Sequence, residues 1–301
     1  MSPRSLLEAI GSDASSLHFR ARFDGSELFL RDHALQGACM LPGAVTLEMA
    51  REAFVRSQGL GADTPLEFQE VMWIRPLIVD REPVDVRFRL AHRGPRTGAF
   101  AINVGRATMP HVGPDAVADA ATLVCRGRVR ASYEKPGLLD VSKLESCCQA
   151  GSITGDHCYS IFSRMRVAYG PTHRTLRELA WGTRPEGGRV VLATLEQREP
   201  GGHCTLNPGM LDGALQASVA LTDLCSDQAD ASGPVIPEVP FSIRAAKIWG
   251  RLPARAFAYL EESIGMRAFG RTVDIQLCDE SGKVCAQIFG LATRRMGLAS
   301  P

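Results

Sequence analysis

The sequence predicts an α+β fold in which one structural unit occurs twice. The first observation is a pair of similar segments, 41–50 and 207–216, in which Pro-Gly is followed by an apolar stretch. The second is that short β-rich runs broken by proline follow each segment, within 67–90 and again within 238–261. Further β-rich runs close each half of the chain. One helix followed by several antiparallel strands, used twice, is an α+β pattern with an internal duplication.

Each Pro-Gly segment is predicted to begin a helix. Proline is favoured in a first helical turn because the N–H that it lacks would have no partner there. Apolar residues then recur at helical spacing. They are Leu47, Ala50 and Phe54 in the first half, and Leu211, Leu215 and Val219 in the second.

The strands are predicted from β-rich runs and from alternation. Val84, Val86, Phe88 and Leu90 alternate with polar residues, which is typical of a half-buried antiparallel strand. The turn signal 279–282 predicts a hairpin between the last two strands. The predicted strands cover 71–74, 84–90, 100–104 and 123–131 in the first half, and 243–249, 256–260, 273–277 and 284–291 in the second.

We place the boundary between the halves where proline and glycine interrupt the pattern, within 133–153. This gives an N-terminal subdomain, 1–135, a linker, 136–155, and a C-terminal subdomain, 156–301.

Composition excludes some classes of function. The 301 residues are 45% hydrophobic and 22% charged, as in soluble globular proteins. Lys and Arg total 34 against 33 Asp and Glu, so no strong field favours nucleic acid or an anionic membrane. Nine cysteines without paired short spacing indicate reduced thiols. We expect a cytoplasmic protein, because no signal peptide or membrane-spanning run is found.

His33 is the first candidate catalytic residue. It stands nine residues before Pro42, so the intervening loop can fold back and bring the imidazole to the start of the helix. Free backbone N–H groups and the positive end of the helix dipole at that point would polarise an acyl carbonyl. Without this context, His33 would be interpreted as a surface or turn histidine.

Asp212 is the second candidate, with Gln216 four residues later on the same helical face. Burial would favour its protonated form, and the helix dipole its ionised form. β-Elimination from a 3-hydroxyacyl thioester needs a base for the α-proton and an acid for the departing hydroxide. His33 and Asp212, one from each half, would supply them.

These residues resemble the dehydratase domains of polyketide synthases. His33, Gly37 and Pro42 match the family motif HxxxGxxxxP, and Asp212 with Gln216 matches DxxxQ. The segment 169–173 is similar to the YGPxF element, with His173 at the aromatic position. The amino-acid sequence around both helices is most similar to that of modular synthases whose acyltransferase is a separate protein. The likeness covers nearly the whole chain.

The resemblance implies a double hot dog fold, in which two antiparallel sheets each wrap round a long central helix as a pseudodimer. It implies that His33 takes the α-proton and that Asp212 serves the β-hydroxyl. Tyr169 would place the hydroxyl or the Asp, and Gln216 would hold the Asp. The carbonyl would meet backbone N–H groups near Gly37 or at the helix start, Pro42-Gly43.

The resemblance also implies partners and cofactors. The substrate would arrive on the phosphopantetheine arm of an acyl carrier protein, beside neighbouring synthase domains and in a homodimer, without a metal or redox cofactor. Two alternatives stay open: an isomerase or pyran-forming cyclase on the same fold, and a non-catalytic module that docks the carrier protein. Retention of Pro42 and Asp212 favours ordinary dehydration. Tyr169 is equally interpretable as a turn residue.

Overall fold

The computed structural model describes residues 5–80, 82–105, 122–184, 187–198, 204–222, 225, 236–262 and 272–296. The helices are α1 (Leu28–Arg31), α2 (Gly43–Gln58), α3 (Val141–Cys147), α4 (Gly155–Arg164) and α5 (Pro208–Gln216), and a 3-10 helix, Ala217–Leu221, continues α5. The strands of the first half are β1 (Glu8–Ser12), β2 (Ser16–Phe23), β3 (His33–Leu35), β4 (Ala38–Met40), β5 (Leu66–Trp73), β6 (Ile78–Val79), β7 (Val84–Gly94), β8 (Thr97–Val104) and β9 (Thr122–Ala131). Those that follow are β10 (Gly151–Thr154), β11 (Val167–Tyr169), β12 (Leu176–Thr183), β13 (Arg189–Glu196), β14 (Glu238–Ile248), β15 (Arg255–Glu262), β16 (Thr272–Cys278) and β17 (Val284–Arg295).

A single antiparallel sheet runs through both halves of the chain. Across the described residues it is 13-stranded, in the order β1-β2-β7-β8-β9-β5-β14-β17-β16-β15-β13-β12-β10. β5 of the first half pairs with β14 of the second, from Met72 opposite Ser242 to Leu66 opposite Ile248. The two sheets expected for the two halves are therefore joined edge to edge at this pair.

The strand order confirms the predicted duplication. Outward from the β5–β14 pair, the first half has β5, β9, β8, β7 and β2, and the second has β14, β17, β16, β15 and β13. Along the chain, each half places its main helix between the outermost strand of this set and the innermost one. The α+β fold predicted from the sequence is thus observed, and each predicted strand is found.

The two main helices differ in length. α2 spans 16 residues, most of them buried, and ends at Gly59, whose left-handed backbone (φ 60°) donates its N–H to carbonyls of the last turn. α5 spans nine residues, starts after Asn207, and passes into the 3-10 helix. Both predicted helix starts are observed. The apolar spacing predicted a second helix that continues to Val219. Its α-helical part ends at Gln216, because the next residues form a 3-10 helix.

A buried ion pair on α2 connects the two halves. The Arg51 guanidinium donates to both carboxylate oxygens of Glu48, at 2.9 and 2.8 Å. Glu48 also accepts the backbone N–H groups of Thr205 (3.1 Å) and Leu206 (3.0 Å), which precede α5. Glu48 is 3% exposed and Arg51 9%. Because buried charges need partners, this cluster fixes the approach of the α5 segment to α2.

The segment assigned to a linker, 136–155, has regular structure of its own. It contains α3, and β10 pairs with β12 at one edge of the large sheet. Leu138 bridges to Lys283 beside the last hairpin. The connection between the halves therefore packs along the sheet. Among the described helices, none has the length and apolar character needed to cross a bilayer.

Candidate active site

His33 lies on a small second sheet with the strand order β11-β3-β4-β6. Gln36 (φ 54°) and Gly37 (φ 87°) form the tight turn between β3 and β4, and two successive positive φ angles are typical of a type I′ hairpin. The hairpin brings the carbonyl of Met40 to 2.7 Å from Nδ1 of His33. Because a carbonyl can only accept, Nδ1 carries the proton and Nε2 is left as the basic atom.

Asp212 lies in the second turn of α5, and a chain of hydrogen bonds holds its carboxylate. Gln216 donates Nε2 to Oδ2 of Asp212 at 2.8 Å and to the carbonyl of His173 at 3.1 Å. The Tyr159 hydroxyl lies 3.2 Å from Oε1 of Gln216 and accepts the N–H of Leu176 at 3.0 Å. The predicted (i, i+4) relation between Asp212 and Gln216 is thus a direct contact that orients the carboxylate.

The two candidate catalytic groups face one cavity. Nε2 of His33 lies 3.9 Å from Oδ2 of Asp212, and each residue is 5% exposed. Both line a cavity of about 700 Å³ together with Tyr169, Gln216 and Gly43. One side chain from each half is therefore close enough for a single bound acyl group to touch both.

Tyr169 is brought to His33 by strand pairing across the halves. β11 pairs with β3 so that Tyr169 lies opposite His33, and the two rings are 5.6 Å apart. Burial, reinforced by the negative charge of Asp212, raises the pKa of Tyr169 well above its usual value. Its hydroxyl therefore stays protonated at neutral pH and can donate a hydrogen bond into the cavity.

Sequence reasoning missed the residues that hold this pairing together. Asp32 accepts the backbone N–H (2.9 Å) and the hydroxyl (2.8 Å) of Thr172, and its own carbonyl accepts the N–H of Gly170 (2.8 Å). A Cβ at Gly170 would meet the Asp32 carboxylate at 2.5 Å, so glycine permits the close approach. Asp32 next to His33, and Thr172 inside the YGPTH segment, are the signals that could have suggested the contact.

The start of α2 supplies a place for a carbonyl oxygen. Pro42 has no N–H, its side chain offers no cap, and Gly43 lines the cavity. The first amide groups of α2 are therefore available to a ligand, at the positive end of the helix dipole. A Cβ at Gly43 would lie 3.0 Å from the Trp73 ring, so glycine lets the indole pack closely against the first turn of the helix. Gly37, the other candidate, lies in the hairpin turn.

The rest of the cavity is largely apolar. Phe162, Met165 and Leu215 are among the buried side chains of its wall, and the exposed Arg75 and Arg295 lie where it meets the surface. Cys125 also lines it, but burial raises the pKa of that thiol to about 12, so it is not a thiolate nucleophile at neutral pH. Within the described ranges, no group of three or more His, Cys, Asp or Glu is placed to hold a metal ion.

The contact between Gln216 and Asp212 gives a testable prediction. Gln216→Leu keeps the side-chain volume but removes the donor to Oδ2, so Asp212 should lose its fixed orientation. We expect the turnover number at this site to fall by about 10- to 100-fold, the scale of a misplaced catalytic group. Turnover is measured at saturating substrate, with circular dichroism to check the fold.

Gln287→Leu provides the matched control. Gln287 is a half-buried glutamine on β17 whose side chain donates to Gln276 at 2.9 Å, and among the described residues it is not part of the cavity wall. Turnover in this control should match the wild type. A Gln216→Leu protein as active as the control would contradict an orienting role for Gln216.

Two family models match the chain. The model described as "Polyketide synthase dehydratase domain" matches residues 5–105. The model described as "Polyketide synthase dehydratase N-terminal domain" matches residues 141–300. The second match alone covers more than half of the sequence and includes α5 with Asp212.

Similar proteins are much longer than this chain. Polyketide synthase PksM of Bacillus subtilis is 27% identical over 290 residues, which are 95% of this chain and 6% of that protein. Polyketide synthase ThaG of Burkholderia thailandensis is 30% identical over 293 residues, 96% of this chain and 5% of that protein. The chain therefore spans only about a twentieth of the length of these relatives.

Solved structures share the fold. A trans-AT polyketide synthase dehydratase domain from Brevibacillus brevis superposes with a TM-score of 0.81 at 28% identity, covering 97% of this chain and 98% of that one. The dehydratase domain of RzxB from Pseudomonas fluorescens superposes with a TM-score of 0.77 at 23% identity. The match covers 96% of this chain and 98% of that one, and it shows a likeness of fold. These matches confirm the predicted double hot dog fold.

Proposed function

Because this chain belongs to the polyketide synthase dehydratase family, we propose that it eliminates water from a 3-hydroxyacyl thioester held on an acyl carrier protein. The product is a 2-enoyl thioester of the growing polyketide. The observation that carries the proposal is the 3.9 Å approach of His33 Nε2 to Asp212 Oδ2 inside one buried cavity.

The proposed roles follow from the hydrogen bonds of each group. His33 takes the α-proton on Nε2, because Nδ1 is occupied by the Met40 carbonyl. The thioester oxygen binds the free amides at the start of α2, where the helix dipole stabilises negative charge on it. In the elimination step the protonated form of Asp212 gives its proton to the β-hydroxyl, which leaves as water.

The same geometry supports the return to the starting state. After elimination His33 is protonated and Asp212 is ionised. A proton passed from Nε2 to Oδ2 across the site restores both groups. Gln216 keeps Oδ2 in place throughout, and Tyr169 positions the hydroxyl of the substrate. All steps are proton transfers and one carbon–oxygen cleavage, so we propose that neither a metal nor a redox cofactor takes part.

The proposed partners follow from this chemistry. A thioester on a flexible phosphopantetheine arm can reach a buried pair through the opening near Arg75 and Arg295. We propose that an acyl carrier protein delivers it, that neighbouring synthase domains act before and after this step, and that the protein works as a homodimer in the cytoplasm.

The proposal is tested by the mass of the carrier-bound product. The protein is incubated with a 3-hydroxyacyl carrier substrate, and intact-protein mass spectrometry follows the acyl group. We expect the loss of one water. With a 2-enoyl carrier substrate in a parallel incubation, an unchanged acyl mass with a migrated double bond would show an isomerase instead. Release of free acid would show a thioesterase. Chromatography against synthetic standards separates an enoyl product from a cyclic ether formed by internal addition of a hydroxyl.

The non-catalytic alternative predicts a different result. A module that only docks the carrier protein would leave the acyl mass unchanged in every variant. In that case, an assembly line carrying His33→Phe and Asp212→Asn would release the same product as the parent.

A further inference from the structure

His173 stands at the aromatic position of the segment 169–173 that is similar to YGPxF, and it is completely buried (0% exposed). It lies in the connection between β11 and β12, where its N–H donates to Gly170 O at 3.0 Å and its carbonyl accepts Nε2 of Gln216 at 3.1 Å. Its ring centroid lies 5.4 Å from that of His33. A third polar ring is thus fixed directly beside the candidate base.

Hydrogen bonding determines which nitrogen of His173 carries the proton. The Thr172 hydroxyl donates its single hydrogen to Oδ2 of Asp32 at 2.8 Å. It can therefore only accept from Nδ1 of His173, which lies 3.2 Å away. Nε2 of His173 is left with its lone pair and has no hydrogen-bond partner among the described residues.

The ring is neutral under ordinary conditions. Burial lowers the pKa of His173 to about 4, although the charge of Asp212 opposes part of this effect. Burial also acts to raise the pKa of Asp32, but its hydrogen bonds from Thr172 and its contact with Arg31 leave it below the usual value. An ionised Asp32 therefore polarises Thr172 and, through it, the Nδ1–H bond of His173.

Several titratable groups from different elements lie around the two rings. They are Asp32 and His33 at β3, Tyr169 on β11, Tyr159 on α4 and Asp212 on α5. Of these, His33 is the group that gains positive charge in the proposed reaction. A phenylalanine at 173 would fill the same space without a lone pair.

We propose that His173 is a positioning residue that stabilises the protonated form of His33 through the negative end of its ring dipole at Nε2. The inference rests on the proposed function, in which His33 accepts the α-proton. The polarised chain of hydrogen bonds from Asp32 through Thr172 to His173 strengthens that dipole. Both rings are buried, so solvent screens this interaction only weakly, and it makes His33 a stronger base than an apolar neighbour would.

The test compares His173→Phe with His173→Gln. The first keeps a ring of similar size and removes both nitrogens. The second places an amide oxygen, which is a neutral acceptor, near the position of Nε2. The pH at which the His33 ring signals titrate is followed by NMR on the substrate-free protein with labelled histidine, alongside the pH profile of kcat/KM.

We expect His173→Phe to move the midpoint of the His33 titration to lower pH. Turnover should fall by about three- to tenfold, the scale of one lost hydrogen-bond-like interaction. His173→Gln should restore most of both. His173→Met provides the same apolar comparison if the Phe variant does not fold.

Phe162→Leu is the packing control. Phe162 contacts Tyr169 with ring centroids 5.2 Å apart, so this change loosens the same corner without altering a polar group. It should leave the His33 midpoint where it is. An unmoved midpoint in His173→Phe would overturn the inference, and so would equal shifts in the Phe and Gln variants. Failure of the wild type to eliminate water would instead refute the proposed function, since the titration does not depend on turnover.

Discussion

Replacing His33 by Phe, or Asp212 by Asn, should lower kcat/KM for water elimination by at least about 100-fold, the contribution of one acid or base. His33→Phe keeps a ring and removes Nε2. Asp212→Asn keeps the contact with Gln216 but leaves no proton to give the departing hydroxide. His33→Phe also removes the Nδ1 hydrogen bond to the Met40 carbonyl, whereas the pairing of β3 with β11 uses backbone groups that neither change alters. The measurement is mass spectrometry of the carrier-bound acyl group over time.

A double variant shows whether the two groups act as a unit. Residues that share one chemical step are strongly non-additive, so His33→Phe with Asp212→Asn should be about as inactive as the worse single variant. If the activity loss of the double variant equalled the product of the two single losses, the residues would have independent roles.

The chain has a matched control for this pair. His18 and Asp13 also form a His–Asp contact, at 2.8 Å, but both are substantially exposed and lie on and next to β2. His18→Phe and Asp13→Asn should leave kcat/KM unchanged. A loss smaller than about tenfold in either active-site variant would be incompatible with general acid–base roles for these residues.

Glu48→Ala should lower the free energy of unfolding by about 3–5 kcal/mol, the cost of removing one partner of a buried ion pair. The change leaves the Arg51 guanidinium without its carboxylate and removes the acceptor of the Thr205 and Leu206 N–H groups. Urea denaturation followed by circular dichroism measures the difference.

Glu70→Ala is the comparison. Glu70 pairs with Arg128 at 3.2 Å, but both side chains are more than half exposed, so solvent screens the pair. Its loss should cost less than about 1 kcal/mol. Similar values for the two variants would show that the Glu48 cluster contributes no more than a surface pair. Because Glu48 also fixes the segment before α5, the fraction of Glu48→Ala protein that remains folded should have a lower turnover number.

The candidate catalytic pair could be selected from the sequence because its evidence is local. His33 stands at a fixed distance from Pro42, and Asp212 and Gln216 occupy adjacent turns of one helix, as the 2.8 Å contact between them shows. Repetition of the Pro-Gly helix start likewise indicated the duplicated fold. Each of these signals is contained in about ten residues of chain.

What the sequence did not predict depends on pairing between distant segments. β11 and β3 lie in different halves, and the register that places Tyr169 opposite His33 is set by tertiary structure. The burial of His173 and the bonds from Thr172 to Asp32 follow from that pairing. β12 and β13 were missed for a related reason: their pairing with each other and with β15 decides that they are strands.

The junction between β5 and β14 relates two similar halves that are not chemically equivalent. Four residues after Pro208 the chain has Asp212, whereas four residues after Pro42 it has Thr46, which is also buried. In a dimer of identical subunits every substitution occurs twice, so both copies of a helix must satisfy the same requirements. Covalent fusion removes that constraint. One helix can therefore carry Asp212, the proposed acid, while its counterpart shapes the cavity wall with the hydroxyl of Thr46.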